Sequence, residues 1–151
     1  AQRIGRQHRA ADVEHALAGL RVGYGIADPA IVRYIDQVRE PFNVNSVAQY
    51  AAAASLDDPG QVKRNREITH AGKELLAAAF EQMGLDYAPS QANFVFVDFG
   101  RDSMQICDDL MRRGVIIRPG KPFGTPTCAR VTIGTQEENE RFLRALKEVL
   151  G

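Results

Sequence analysis

Three arginines stand among small or apolar neighbours. Arginine keeps its charge at any physiological pH, and its planar fork of donors matches the oxygens of carboxylates and phosphates. Arg21 lies in the glycine-dense stretch Ala16-Leu17-Ala18-Gly19-Leu20-Arg21-Val22-Gly23-Tyr24-Gly25-Ile26-Ala27. Arg118 follows Val115-Ile116-Ile117, and Arg130 precedes Val131-Thr132-Ile133. An unpaired buried charge is very costly, so each needs an anionic partner or a route to water. An internal pair with Asp or Glu would satisfy any one of them. Arg118 and Arg130 flank a single loop stiffened by Pro119, Gly120, Pro122, Gly124 and Pro126, so one anion gripped by both is an equally good answer. Asn93 precedes the aromatic run Phe94-Val95-Phe96-Val97-Asp98-Phe99, where it either bonds a ligand or shapes the entry turn.

Other chemistries find little support. His8, His15, His70, Cys107 and Cys128 show no metal-ligand spacing, so no metal is expected. There is no nucleophile motif, no paired-carboxylate signature and no phosphate-cradling glycine loop with its lysine. Gly23-x-Gly25 is too short for a nucleotide fingerprint. Both cysteines read as reduced, buried thiols, which suits a cytoplasmic protein. A formal net charge of +0 argues against a broad basic face for nucleic acid. Arg3, Arg6, His8 and Arg9 are expected to form a solvated terminus rather than a nucleic-acid arm. No apolar run approaches the roughly 20 residues of a membrane helix, and the first residues lack the apolar core of a signal peptide.

The elements that must position these side chains follow from patterning. Residues 20–26 alternate large and small, as in a strand packed closely on its neighbours. Asp28-Pro29 caps a helix with Ile31, Val32, Ile35 and Val38 on one face. Ser46 and Gln49 have capping-box spacing at the start of a narrow alanine helix. Asp58-Pro59 opens the longest helix, with Ile68, Ala71, Leu75, Leu76, Ala79, Phe80 and Met83 as its buried stripe and Gly84 as its stop. Strands are expected over residues 94–99, 115–117 and 129–133. Ser103 opens a helix between the first two strands, and Thr135 with Glu138 opens the last helix. The second and third of these strands are joined without a helix, which makes them antiparallel. The fold class is α/β, in the form of a short, mostly antiparallel sheet covered by helices.

Several stretches, taken in order, resemble the pyridoxal-phosphate aminotransferases of the aspartate aminotransferase fold type. They are Leu17-Ala18-Gly19-Leu20-Arg21-Val22-Gly23-Tyr24, Pro41-Phe42-Asn43-Val44-Asn45-Ser46, Ser90-Gln91-Ala92-Asn93-Phe94, Ile117-Arg118-Pro119-Gly120 and Ala129-Arg130-Val131-Thr132-Ile133-Gly134-Thr135. Together they are most similar to the histidinol-phosphate branch of that family. The resemblance implies that Arg21 binds the cofactor phosphate and that Arg130 grips the substrate α-carboxylate. It further implies that Arg118 helps to bind a substrate phosphate and that Asn93 lines the substrate site. It divides the chain into a divergent leader (1–16), a remnant of the large domain with a connecting helix (17–45), and a small C-terminal domain (46–151).

One departure from the family pattern matters. The family reads Ser-Lys-x-x-Gly-Leu-Ala-Gly-Leu-Arg, and counting back from Arg21 puts Val13 at the lysine, Asp12 at the serine and Ala16 at the glycine. Valine forms no Schiff base. The residues that pair with the pyridinium nitrogen and stack on the ring belong, in the family, to a large domain upstream. The expectation is therefore a chain with no catalytic residue of its own that binds no pyridoxal phosphate when alone. It would recognise a small anionic substrate and assemble as a homo-oligomer. The alternative is a non-catalytic anion-binding or oligomerisation module.

Overall fold

The computed structural model of the chain describes residues 17–151, so the readings made on Val13 and on the leader lie outside the described residues. The described residues form two compact units, divided between Arg66 and Glu67.

In the first unit the predicted strand over residues 20–26 does not form. Ala18–Leu20 is a single 3-10 turn, closed by Arg21 in the left-handed region at φ 59°, ψ 40°. Residues 22–28 adopt no regular element. A left-handed residue turns the chain, and a strand without a partner leaves its backbone groups unbonded. A Cβ at Gly19 or Gly25 would meet nothing within 4 Å, so among the described residues both glycines border open space. Helix α1 (Pro29–Val38) begins as expected, with the Asp28 carboxylate accepting the Ala30 N–H at 2.8 Å. Its apolar face forms but is not covered: Ile31, Val32, Ile35 and Val38 are all exposed.

Helix α2 (Ser46–Leu56) uses a different cap from the predicted one. Asn45, one residue earlier, accepts the Ala48 N–H at 2.9 Å, and Gln49 reaches back to the Val44 carbonyl at 2.9 Å. Asn caps as well as Ser, so the end of the helix moves by one residue without loss. Helix α3 (Pro59–Gln82) is the longest in the chain.

The second unit is a sheet with helices on one face. Strands β1 (Asp86–Ala88), β2 (Phe94–Asp98), β3 (Arg118–Pro119) and β4 (Cys128–Thr132) lie in the order β1-β2-β4-β3, antiparallel throughout. Helix α4 (Ser103–Arg112) and helix α5 (Gln136–Leu150) complete it. Strand alternation sends Val95, Val97, Ala129 and Val131 into the core, where they meet Leu76 and Phe80 of α3, Ile106 and Leu110 of α4, and Phe142 and Leu146 of α5. Phe80 and Phe142 meet edge-on, ring centroids 6.3 Å apart. The capping box of α5 is present in both directions: Glu138 Oε2 accepts the Thr135 N–H at 2.8 Å, and Thr135 Oγ1 accepts the Glu138 N–H.

Two further expectations need correction here, and one packing residue is new. The stripe of α3 is shorter than predicted, since Ile68 and Ala71 are exposed and burial begins at Gly72. Gly72 was not anticipated as a packing residue. A Cβ there would collide with Ile133 Cγ2 and lie 2.9 Å from Asn139 Nδ2. The strand predicted over 115–117 is not paired; the ladder to β4 starts only at Arg118. Leaving α4, Gly114 takes φ 75° and the Val115 N–H is spent on the Leu110 carbonyl at 3.0 Å, which finishes the helix instead of opening a strand.

Candidate anion-binding site

Arg118 and Arg130 are direct partners across the β3–β4 ladder. Residues opposite one another in an antiparallel pair point to the same face, with Cβ atoms about 4.5–5.5 Å apart. That face is the one turned away from the helices, because the neighbours Ala129 and Val131 go into the core. The structure thus brings together the two arginines that flank the loop. Like charges held this close repel, and nothing acidic stands opposite them in the register: Phe96 is the partner of Arg130 on the other side.

The loop between β3 and β4 fixes this geometry. The Gly120 N–H donates to the Cys128 carbonyl at 2.7 Å, and its own carbonyl receives the Thr125 N–H at 3.2 Å and the Thr125 hydroxyl at 3.1 Å. A Cβ at Gly120 would crowd Thr125 and the Cys128 carbonyl, so the close crossing requires glycine. Lys121–Phe123 is a 3-10 turn closed by Gly124 at φ 82°.

Two aromatic rings hold the guanidinium groups. Arg118 Cζ lies 4.9 Å from the centre of the Phe123 ring, and Arg130 Cζ lies 5.3 Å from that of Phe94. Stacking on a ring steadies a guanidinium while leaving its in-plane donors available, at about 0.5–1 kcal/mol each where solvent reaches the pair. Arg130 is half-buried, and its Nε is fully buried with no hydrogen-bond partner. A buried donor left unbonded costs about 1–3 kcal/mol, more when charged. The outer Nη donors of the same guanidinium are the ones open to a carboxylate or phosphate oxygen. Both arginines line a groove of about 800 Å³ that runs from β3 to the start of α5. Its one acidic lining residue, Glu138, is committed to the Thr135 N–H. The groove therefore carries positive charge.

The other predicted site residues fall elsewhere. Asn93 is not among the groove's lining residues; its carbonyl accepts the Ile133 N–H at 2.8 Å, extending the β2–β4 pairing. This main-chain bond shapes the entry to β2. Arg21 belongs to the first unit and is exposed, with Nη1 donating to the Ala18 carbonyl at 3.3 Å. Sequence reasoning missed Phe94 and Phe123 as platforms. The signal for Phe94 was present, since strand alternation puts it on the same face as Arg130.

The site's elements can also be set beside known proteins. A family model described as aminotransferase class I and II matches residues 14–146. The histidinol-phosphate aminotransferase of Moorella thermoacetica is 53% identical over 136 residues, covering 90% of this chain and 35% of that protein. That of Symbiobacterium thermophilum is 47% identical over 137 residues, covering 91% and 38%. Among solved structures, histidinol-phosphate aminotransferase from Sinorhizobium meliloti in complex with pyridoxal-5'-phosphate superposes with a TM-score of 0.79 at 29% identity, over 91% of this chain and 38% of that one. The enzyme from Clostridium acetobutylicum gives 0.81 at 26% identity, over 94% and 44%. The chain thus spans less than half the length of each of these relatives.

Pyridoxal phosphate is the family's cofactor, and the described residues fit only one end of it. The exposed guanidinium of Arg21 suits the phosphate. The described lysines lie on α3 (Lys63, Lys73), in the β3–β4 loop (Lys121) and on α5 (Lys147), none in the stretch around Arg21. Among the described residues the fit therefore stops at the phosphate end.

Proposed function

The chain belongs to the class I and II aminotransferases, and we propose that it is the substrate-gripping small-domain part of a histidinol-phosphate-type enzyme. The full family reaction moves an amino group between an amino-acid-like phosphate and 2-oxoglutarate. In this reading Arg130 takes a carboxylate or phosphate oxygen on its outer Nη donors, and Arg118 adds a second fork from the neighbouring strand. The observation that carries the reading is the cross-strand arginine pair with no acid opposite it in the register. Arg21 is left as an anchor for a cofactor phosphate. Asn93 serves the site through its main chain, by holding the end of β4 in place.

The same reading makes this chain inactive by itself, because Val13 occupies the position that the family pattern gives to lysine. Two free thiols suit the reducing cytoplasm. The test has two arms. Added pyridoxal phosphate gives neither an aldimine trappable by borohydride nor turnover of an amino donor; either one would contradict the inactivity. Histidinol phosphate binds, as measured by calorimetry, and Arg130→Gln weakens it about 10- to 100-fold, the loss of one charged hydrogen bond. Unchanged binding in that variant would contradict the assignment.

A second reading, an assembly module, draws on α1. Ile31, Ile35 and Val38 are 51%, 53% and 81% exposed, a stripe suited to association between copies. Sedimentation velocity of the wild type and of Ile35→Glu tests it: a dimer lost in the variant supports it, and a wild-type monomer contradicts it.

A further inference from the structure

The last pair in the β2–β4 ladder is Phe94 with Thr132, and Phe94 is the ring against which the Arg130 guanidinium lies. The anion site thus leans on the end of a ladder, the part of a sheet that opens most readily. On the other side of β2 the ladder to β1 has already stopped, at Ala88 and Phe96. Residues 89–93 lead into β2 with no regular structure of their own. A cavity of about 290 Å³, bordered by Lys73, Tyr87, Ser90, Gln91 and Val95, leaves this turn room to shift. Two ties beyond the ladder hold its end. On the β4 side the buried Asn139 accepts the Gly134 N–H on Oδ1 at 3.0 Å and donates from Nδ2 to the Gly134 carbonyl at 3.1 Å. On the β2 side Lys73 Nζ donates from α3 to the Ser90 carbonyl at 3.2 Å. Ser90 Oγ in turn accepts the Ala92 N–H at 3.1 Å, which makes the turn one piece. Among the described residues, the Lys73 bond is the one hydrogen bond that reaches residues 89–92 from another element. The neighbouring acid, Glu74, faces His70 Nδ1 at 3.3 Å.

We infer that Lys73 is a positioning residue for the anion site: by holding the Ser90 carbonyl it fixes the turn that leads into Phe94, and with it the ring on which the Arg130 fork is stacked. The inference rests on the reading of Arg118 and Arg130 as an anion grip. Lys73 is not among the residues that line their groove, so it acts through Phe94 and not on the ligand. A stacked guanidinium keeps its in-plane donors aimed. Released from Lys73, the turn relaxes into the neighbouring cavity, the end of the ladder opens more often, and the fork loses its fixed plane. Lysine suits the task because its ammonium sits on a long stem and its three rotatable donors can reach a main-chain carbonyl on another element.

Two variants of the full chain test this. Lys73→Met keeps the stem and removes the donor, and Lys73→Arg keeps a donor. The first readout is the Arg130 Nε–H resonance of the ligand-free chain, which feels the ring current of Phe94. Lys73→Met is expected to shift it and Lys73→Arg to return it toward the wild-type position, with circular dichroism unchanged in both. The second readout is the Kd for histidinol phosphate by calorimetry. Lys73→Met is expected to weaken binding about 3- to 10-fold, and the same substitution in a Phe94→Leu background to change it by less than about 2-fold. A weakening that persists in full in that background is the effect of the lost charge alone and overturns the proposal. So does an Arg130 resonance that Lys73→Met leaves in place, even where the urea midpoint falls, because Lys73 is then a structural tie only. If the wild type binds no histidinol phosphate, the anion-grip reading falls and the resonance alone decides the role of Lys73: moved by Lys73→Met it supports the positioning, unmoved it overturns it.

Discussion

At the scale of single residues, the account rests on which polar atoms are satisfied. Arg130 keeps a buried Nε with no partner, and stacking on Phe94 fixes the plane of its fork. Charge alone does not reproduce this, so Arg130→Lys is expected to bind anions almost as poorly as Arg130→Gln, with Kd by calorimetry as the readout. Asp98 is the opposite case. Its carboxylate accepts the Gly100 N–H at 2.9 Å, and this bond, with help from Thr127 and Cys128 and against some desolvation, lowers its pKa. A carboxyl whose folded pKa is depressed contributes stability above its unfolded pKa and loses it as pH falls through the folded value. Urea midpoints should therefore drop more steeply below the ordinary carboxylate range in the wild type than in Asp98→Asn. Parallel curves for the two proteins would refute this. Cys107 moves the other way: burial, then Asp108 and Asp102, push its thiol up to about 11. The thiolate is the reactive form, so at pH 8 Cys107 should resist alkylation until the protein is unfolded; modification of Cys107 in the native protein, located by mass spectrometry, would contradict its environment.

At the scale of elements, patterning carried far when both faces of an element had distinct neighbours. Helix α5 shows it: Thr135 and Glu138 announced their box, and Phe142 and Leu146 announced their burial. Strand β2 was equally legible from Phe94 to Asp98. Patterning failed where a decision belonged to the backbone or to a distant partner. The alternation in residues 20–26 looked like a strand, yet Arg21 adopted a left-handed turn that no periodicity reports. Asn45 and Ser46 are both good caps, and local preference does not separate them. β1 is three residues long, too short to show a period. Gly72 was legible only in three dimensions, where α3 crosses against Ile133 and Asn139. Gly72→Ala should therefore destabilise by about 1–3 kcal/mol through overpacking, although alanine favours helix, as read from urea unfolding. A stabilised variant would mean that the crossing is looser than described.

At the scale of the whole molecule, the family was readable from motifs spread over most of the chain, because the arginines and the turns beside them stand in short stretches that follow the family's order. The same residues left the arginine pair open between an internal ion pair and a ligand. Only the register of β3 against β4 placed Arg118 and Arg130 side by side without an acid opposite them. The surroundings of Arg21, an exposed turn, and of Asn93, the end of the β2–β4 ladder, are what one-dimensional reasoning does not supply. Among the described residues no helix is long and apolar enough to cross a membrane, and no group of three or more metal-ligating side chains assembles. The second unit is then a sheet with one helix-covered face and one face that presents two arginine forks on aromatic supports.

The most direct test of that description is nuclear magnetic resonance of the arginine Nε–H groups, with the chain titrated by histidinol phosphate and, separately, by inorganic phosphate. The account predicts that the Arg130 Nε–H signal shifts as a ligand oxygen meets the outer Nη donors of the same guanidinium, with Arg118 following at the same midpoint. An Arg130 signal that stays in place while the ligand binds elsewhere would contradict the site.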